Sequence, residues 1–192
     1  MEKLFAEIKV EDYFDKILSL INHEIDNYSQ QTMEAMDIEI IAEQLFHLFS
    51  TPVPKLIKEN TKSFITAEAS SDTSISDVGN PGSGEKQVMD IANYTIPFSG
   101  PPIFFKCIPR TSSGKYIEAT VYNGEILIQI NSKGQMIGNE GIQAQISDQF
   151  IDRLHQIEET LSLLQDDLDH YSGSLKSQIY KQLCARLVPQ SQ

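Results

Sequence analysis

Residues 150–175 read FIDRLHQIEETLSLLQDDLDHYSGSL, and within them Phe150, Leu154, Ile157, Leu161, Leu164, Leu168, Tyr171 and Leu175 recur at alternating intervals of four and three. A period of 3.5 residues keeps apolar side chains on one stripe of a slightly underwound helix, so the stretch is a heptad seam. Such a stripe has to be covered. The cover comes from another helix, supplied by the same chain or by a second copy, and the seam therefore predicts an interaction and no chemistry. Outward from it, the helical pattern extends from about Ile146–Asp148 to about Leu187, roughly 60 Å at about 1.5 Å per residue. After Leu175 the spacing becomes four throughout, at Ile179, Leu183 and Leu187. The change of phase at Ser172-Gly173-Ser174 predicts a kink or a tight turn near residue 173. Acidic residues precede basic ones along this helix, from Asp148 and Asp152 to Lys181 and Arg186, the order that the helix dipole favours. Residues 142–188 are thus read as a long helical arm.

Upstream, Tyr116 to Ile130 holds two alternating runs around Asn123-Gly124, a pair that accepts the positive φ of a two-residue type I′ turn. If Tyr122 opposes Glu125, then Val121 faces Ile126, Ala119 faces Ile128 and Ile117 faces Ile130. One face is then apolar, while Glu118 and Gln129 share the other. Three more strands are expected at Lys62 to Glu68, at Val88 to Phe98 before the turn Ser99-Gly100-Pro101-Pro102, and at Ile103 to Ile108. Residues 69–84, rich in Ser, Asp and Gly, are read as a flexible acidic loop within a sheet segment spanning 51–131.

The first 50 residues are read as a helical hairpin. Tyr13, Phe14, Ile17, Leu18, Ile21 and Ile25 mark an amphipathic helix from Asp12 to about Tyr28. A second helix is expected from about Met33 to Phe49, with Ile38, Ile41, Leu45 and Leu48 on one side, ended by Ser50-Thr51-Pro52-Val53-Pro54. The fold class expected is α+β, with this hairpin, a small antiparallel sheet of four or five strands, and the long C-terminal helix with its heptad seam.

The chain of 192 residues is 40% hydrophobic, enough for a real core. Its 27 acidic and 15 basic residues leave a net charge of −12, which opposes non-specific binding to nucleic acid or to anionic lipid. Only residues 102–135 are net basic. The two cysteines, Cys107 and Cys184, are too few for a disulfide framework and fit reduced, buried thiols, and the charged N-terminus lacks the apolar core of a signal peptide. The expected location is cytoplasmic.

Two short motifs, Ile96-Pro97-Phe98-Ser99-Gly100 and Phe105-Lys106-Cys107-Ile108-Pro109-Arg110-Thr111, precede the Asn-Gly hairpin and the long helix. In this order they resemble an uncharacterised family of bacterial proteins with a strand-rich centre and a helical C-terminal arm, over roughly residues 88–187. The resemblance implies a bacterial, cytosolic chain of that architecture, and no activity.

No residue is assigned a catalytic, cofactor-binding or metal-binding role. Gly79-Asn80-Pro81-Gly82-Ser83-Gly84-Glu85-Lys86 lacks the adjacent Gly-Lys-Ser/Thr of a phosphate loop, and Glu85 would repel a phosphate. Asp166 and His170, at i and i+4, share a helix face as a metal pair would, but no second ligand cluster accompanies them. His23, His47 and His155 read as helix surface. Cys107 sits in an apolar pattern with no partner base, the context of a buried thiol. Lys106, Arg110 and Lys115 form the basic cluster, interleaved with Phe104, Phe105 and Tyr116, a polar surface for an acidic partner or a nucleic-acid strand; ordinary strand and loop surface is the expected reading, because a dedicated nucleic-acid surface would need more positive charge. The expected function is that of a non-enzymatic interaction or assembly protein acting through the helical arm, by self-association or partner docking. Two alternatives remain at this level. One is a small enzyme or toxin-like effector with a site near Lys106 to Lys115, and the other an acidic regulator that mimics nucleic acid.

Overall fold

The computed structural model describes residues 1–69, 88–112, 114, 116–132 and 134–187. The loop expected at 69–84 and the phosphate-loop-like stretch at 79–86 lie outside the described residues apart from Ala69, as does Lys115. The fold is α+β. In chain order the elements are β1 (Glu2–Leu4), β2 (Ile8–Lys9), α1 (Val10–Asn27), α2 (Gln30–Ala35), α3 (Ile38–Phe49), β3 (Lys55–Leu56), β4 (Lys62–Ala69), β5 (Val88–Ser99), β6 (Cys107–Ile108), β7 (Ile117–Tyr122), β8 (Glu125–Asn131) and α4 (Glu140–Leu187). They divide between two units that are each assembled from separate stretches of chain. The first holds Met1–Glu2, Leu56–Ser99 and Ile117–Glu158, the second Lys3–Lys55, Gly100–Tyr116 and the chain from Glu159.

The first unit is built on a sheet in the order β1-β7-β8-β5-β3, with β4 also paired to β5; of β1 and β3, only Glu2 and Leu56 belong to this unit. The Asn-Gly hairpin takes the register expected of it, with Tyr122 opposite Glu125 and Val121 opposite Ile126. Asn123 at φ 50° and Gly124 at φ 77° supply the two positive dihedrals of the turn. Ile117, Ala119, Ile126, Ile128 and Ile130 are all buried, so alternation alone selected the core face. On the opposite face a polar ladder crosses three strands. The Asn93 side-chain amide donates to Thr66 Oγ1 at 3.0 Å and accepts from Gln129 Nε2 at 2.8 Å. With a third bond to the Ile91 carbonyl at 3.1 Å, Asn93 can be 3% exposed without an unsatisfied amide.

The helix α4 begins at Glu140, about six residues before the expected start. Asn139 is the reason: its Oδ1 accepts from the Ile142 N–H at 3.2 Å, satisfying a donor at the helix start. The polar run Glu140-Gly141-Ile142-Gln143-Ala144-Gln145 has no apolar period to announce that turn. The Gln143 side chain also returns to the Met136 carbonyl at 2.8 Å. Asp90 holds the preceding connection by accepting the Met136 N–H at 2.7 Å. Within the first unit Ile146 and Ile157 are buried, Phe150 stacks on Tyr94 at 3.9 Å, and Arg153 donates to the Gln129 carbonyl at 2.9 Å.

The core of the second unit is helical. Ile21 and Ile25 of α1, Met33 of α2, Ile41, Ala42 and Leu45 of α3, and Leu175, Ile179 and Leu183 of α4 form one buried cluster. The spacing by fours after Leu175 is therefore core, and α4 runs unbroken through Ser172-Gly173-Ser174; no turn forms there, because Leu175 and its successors continue to meet α1 and α3. The helix expected over Met33–Phe49 is two helices. Met36 is extended, and Asp37 caps α3 by accepting the Glu39 N–H at 2.8 Å. An aspartate finds more bonds at a cap than inside a helix.

The strand expected at Ile103–Ile108 is mostly a 3-10 helix over Pro102–Lys106, with Phe104 and Phe105 buried. Only Cys107–Ile108 extends, pairing in parallel with Ile8–Lys9. Proline at the first helical position fits a turn start and removes a ladder donor.

Candidate functional site

The basic cluster meets this chain's own acids. Because β6 lies beside β2, Lys106 reaches Glu7, Nζ to Oε2 at 3.0 Å. Arg110 places its Nε 3.5 Å from Glu11 Oε1, and its backbone N–H donates to Asp167 Oδ2 at 2.9 Å. The guanidinium and its carboxylate neighbours are exposed ion pairs, a kind worth about 0–1 kcal/mol. Beside them is a cavity of about 430 Å³ lined by Thr111, Ser112, Glu159, Thr160 and Ser162, with Phe5, Pro109 and Leu163. Its described lining offers hydroxyls and a carboxylate, and neither histidine nor cysteine.

Cys107 is fully buried, its Sγ 3.5 Å from the Ile103 carbonyl, and burial pushes its thiol up to about 11. A thiol so held is not a nucleophile near neutrality. Among the described residues, no three His, Cys, Asp or Glu side chains gather as metal ligands. Asp167 is turned to Arg110, and Asp169 accepts from Gln165 at 2.8 Å. His23, His47, His155 and His170 are exposed, with His47 3.1 Å from Glu43. No helix among the described residues is long and apolar enough to cross a membrane.

The eight seam residues are occupied from within the chain. Ile157, Leu161, Leu164 and Leu175 are buried, and Phe150, Leu154, Leu168 and Tyr171 are half-buried. Tyr171 stacks on Phe14 at 4.0 Å between centroids and donates its hydroxyl to the Phe14 carbonyl at 3.1 Å. Four of the eight positions thus keep part of their apolar surface in water.

Two apolar surfaces that the seam did not announce are exposed. On α3, Ile40 is 52% and Leu48 68% exposed, and with exposed Gln44 they form one i, i+4, i+8 ridge. Leu48 was expected on the inner side with Ile38, Ile41 and Leu45. It stands at nearly the azimuth of Ile41, in the last turn of the helix, yet is exposed where Ile41 is fully buried. The signal was in the composition: α3 is apolar on more than one side, and a surface helix with one buried face is not. Beside this ridge a groove of about 540 Å³ includes Glu39, Glu43, Lys176 and Tyr180. Lys176 is hydrogen-bonded to Glu43, and that bond holds the Glu43 carboxyl below the usual carboxylate range.

The second surface is β4. Its register runs from Lys62 opposite Thr95 to Ala69 opposite Val88, and β5 is its one strand partner among the described residues. Phe64 is 51% and Ile65 45% exposed. No family model, curated protein or solved structure matches this chain.

Proposed function

We propose that this protein is an interaction or assembly protein whose helical layer presents α3 to a protein partner, rather than an enzyme. The observation that carries the reading is the ridge Ile40-Gln44-Leu48. Two large aliphatic side chains stand in water one on each side of a glutamine, on a helix whose adjoining face, Ile41, Ala42 and Leu45, is committed to the cluster with Ile21, Ile25, Leu175 and Ile179. Burying both against a partner removes apolar area from water at about 25 cal/mol per Å², and rigid backing by a packed core lowers the entropy lost on binding. The helical arm then serves as support: Leu175, Ile179 and Leu183 of α4 hold α3 from behind.

The test is a photo-crosslinking residue in place of Gln44, used in the source cells. We expect a discrete protein adduct that disappears in the Ile40→Lys/Leu48→Lys double variant, with the melting temperature of the purified variant unchanged, since exposed substitutions cost within about 0.5 kcal/mol. Failure to form an adduct, or an adduct indifferent to the two lysines, would overturn the reading.

A further inference from the structure

The strand β4 is eight residues long, straight in register with β5 from end to end, and free of proline. Proteins blunt exposed edges with short strands, bulges, prolines or inward charges, because a row of unpaired N–H and C=O groups templates pairing with another strand. Among the described residues β4 carries none of these devices except the charged residues near its ends. It is also tied to the sheet by a side chain, since Asn93 of β5 bonds both the Thr66 hydroxyl and, on its other side, Gln129 of β8. An ordered edge of this kind is ready to accept a strand without first paying to be ordered.

The sequence of the edge identifies the occupant. Lys62-Ser63-Phe64-Ile65-Thr66-Ala67-Glu68 is complementary to itself when reversed. An antiparallel pairing centred on Ile65 sets Lys62 opposite Glu68, Ser63 opposite Ala67, Phe64 opposite Thr66 and Ile65 opposite its own copy. Opposite residues share a face, so each charged pair is cross-strand and attractive, and it occurs twice by symmetry. Moving the register by one or two residues separates lysine from glutamate and takes Ile65 off the axis. We propose that two copies of this chain join through β4, antiparallel and centred on Ile65, to make one continuous sheet. This rests on reading the chain as an interaction protein, and it does not depend on the α3 ridge.

The experiment is sedimentation equilibrium of the full chain with four variants: Lys62→Glu, Glu68→Lys, the double exchange of both, and Ile40→Lys/Leu48→Lys. Within one copy residues 62 and 68 are six positions apart, about 20 Å along a strand, so a lysine there cannot rescue its own glutamate. Rescue across copies is the signature. We expect the parent chain to dimerise, each single reversal to weaken the dimer about tenfold by turning two attractions into two repulsions, and the double exchange to return within about twofold of the parent. The α3 variant should dimerise like the parent, so that loss of the α3 partner and loss of the dimer are separate results. Ile65→Cys should in addition form an intermolecular disulfide, since opposite Cα atoms lie about 4.5–5.5 Å apart. A monomeric parent chain, or a dimer that the single reversals leave intact or the double exchange fails to restore, would overturn the proposal.

Discussion

Gly124 shows how much of a hairpin rests on one dihedral. A Cβ at this position would meet nothing within 4 Å, so space does not select glycine there; φ of +77° does. Gly124→Val is expected to destabilise the first unit by about 1–3 kcal/mol, because a β-branched residue resists that region. Asn123, at φ 50°, needs the same region but is itself one of the residues that tolerate it, and Asn123→Asp should cost less. Urea titrations of the two variants check this ordering. A valine variant with the parent's midpoint would mean that the turn relaxes to another type. The asparagine-glycine pair and the alternation around it were fully legible, because turn dihedrals and side-chain direction depend on neighbours in the chain.

At the scale of the element, α1 depends on a residue far away in sequence for its C-terminal end. It has no basic residue in its last turn; the Tyr28 N–H returns to the Ile25 carbonyl at 3.2 Å, and further donors to the last carbonyls come from elsewhere. Arg186 of α4 provides them: its guanidinium donates to the Ile25 carbonyl and, at 2.9 Å, to the Asp26 carbonyl, with Asp26 Oδ1 3.3 Å from Nη1. We expect Arg186→Ala to lower stability by about 1–3 kcal/mol, from charge-assisted bonds to carbonyls, and Arg186→Lys to recover only part of it, since an ammonium lacks the two-pronged fork. Amide exchange should localise the loss to the last turn of α1. Exchange that rises uniformly over the unit would instead point to general loosening of the Ile25–Leu183 cluster. The pattern of α4 announced its apolar stripe and said nothing of this capping role.

For the whole molecule the charge balance and the buried protons set the response to pH. Burial pushes the Cys107 thiol up to about 11, and burial with the nearby Asp15 carboxylate pushes the Tyr171 phenol up to about 12. Both groups keep their protons longer when folded, so the native chain binds more protons than the unfolded one as pH rises past the ordinary values of 9.0 and 10.0. Their contribution is complete below pH 9 and is lost as pH rises through about 11 and then about 12. The urea midpoint should therefore fall over this range, and Tyr171→Phe should fall less steeply between pH 10 and 12. That variant should also start lower by about 1 kcal/mol, for the lost bond to the Phe14 carbonyl. Parallel pH profiles for the two proteins would show that Tyr171 does not carry the effect.

The sequence by itself determined the features that repeat locally: the amphipathic α1, the hairpin with its register, the long helix with its stripe, and the α+β class. Each follows from a period or a dihedral preference that a few adjacent residues carry. Only the tertiary structure decided what each surface meets. Ile41 and Leu48 stand at nearly the same angle on α3, yet one is fully buried and the other 68% exposed, a difference that no period in α3 announces. Of the seam, Phe150 meets Tyr94, Tyr171 meets Phe14 and Leu175 enters the α1–α3 cluster, contacts that join residues far apart in the chain. Lys106 and Arg110 look like a free basic patch until β2 brings Glu7 and Glu11 beside them. Periodicity fixes which side of an element is apolar, but cover is a property of distant chain, and so the ridge on α3 and the open edge of β4 came into view only when the fold was assembled.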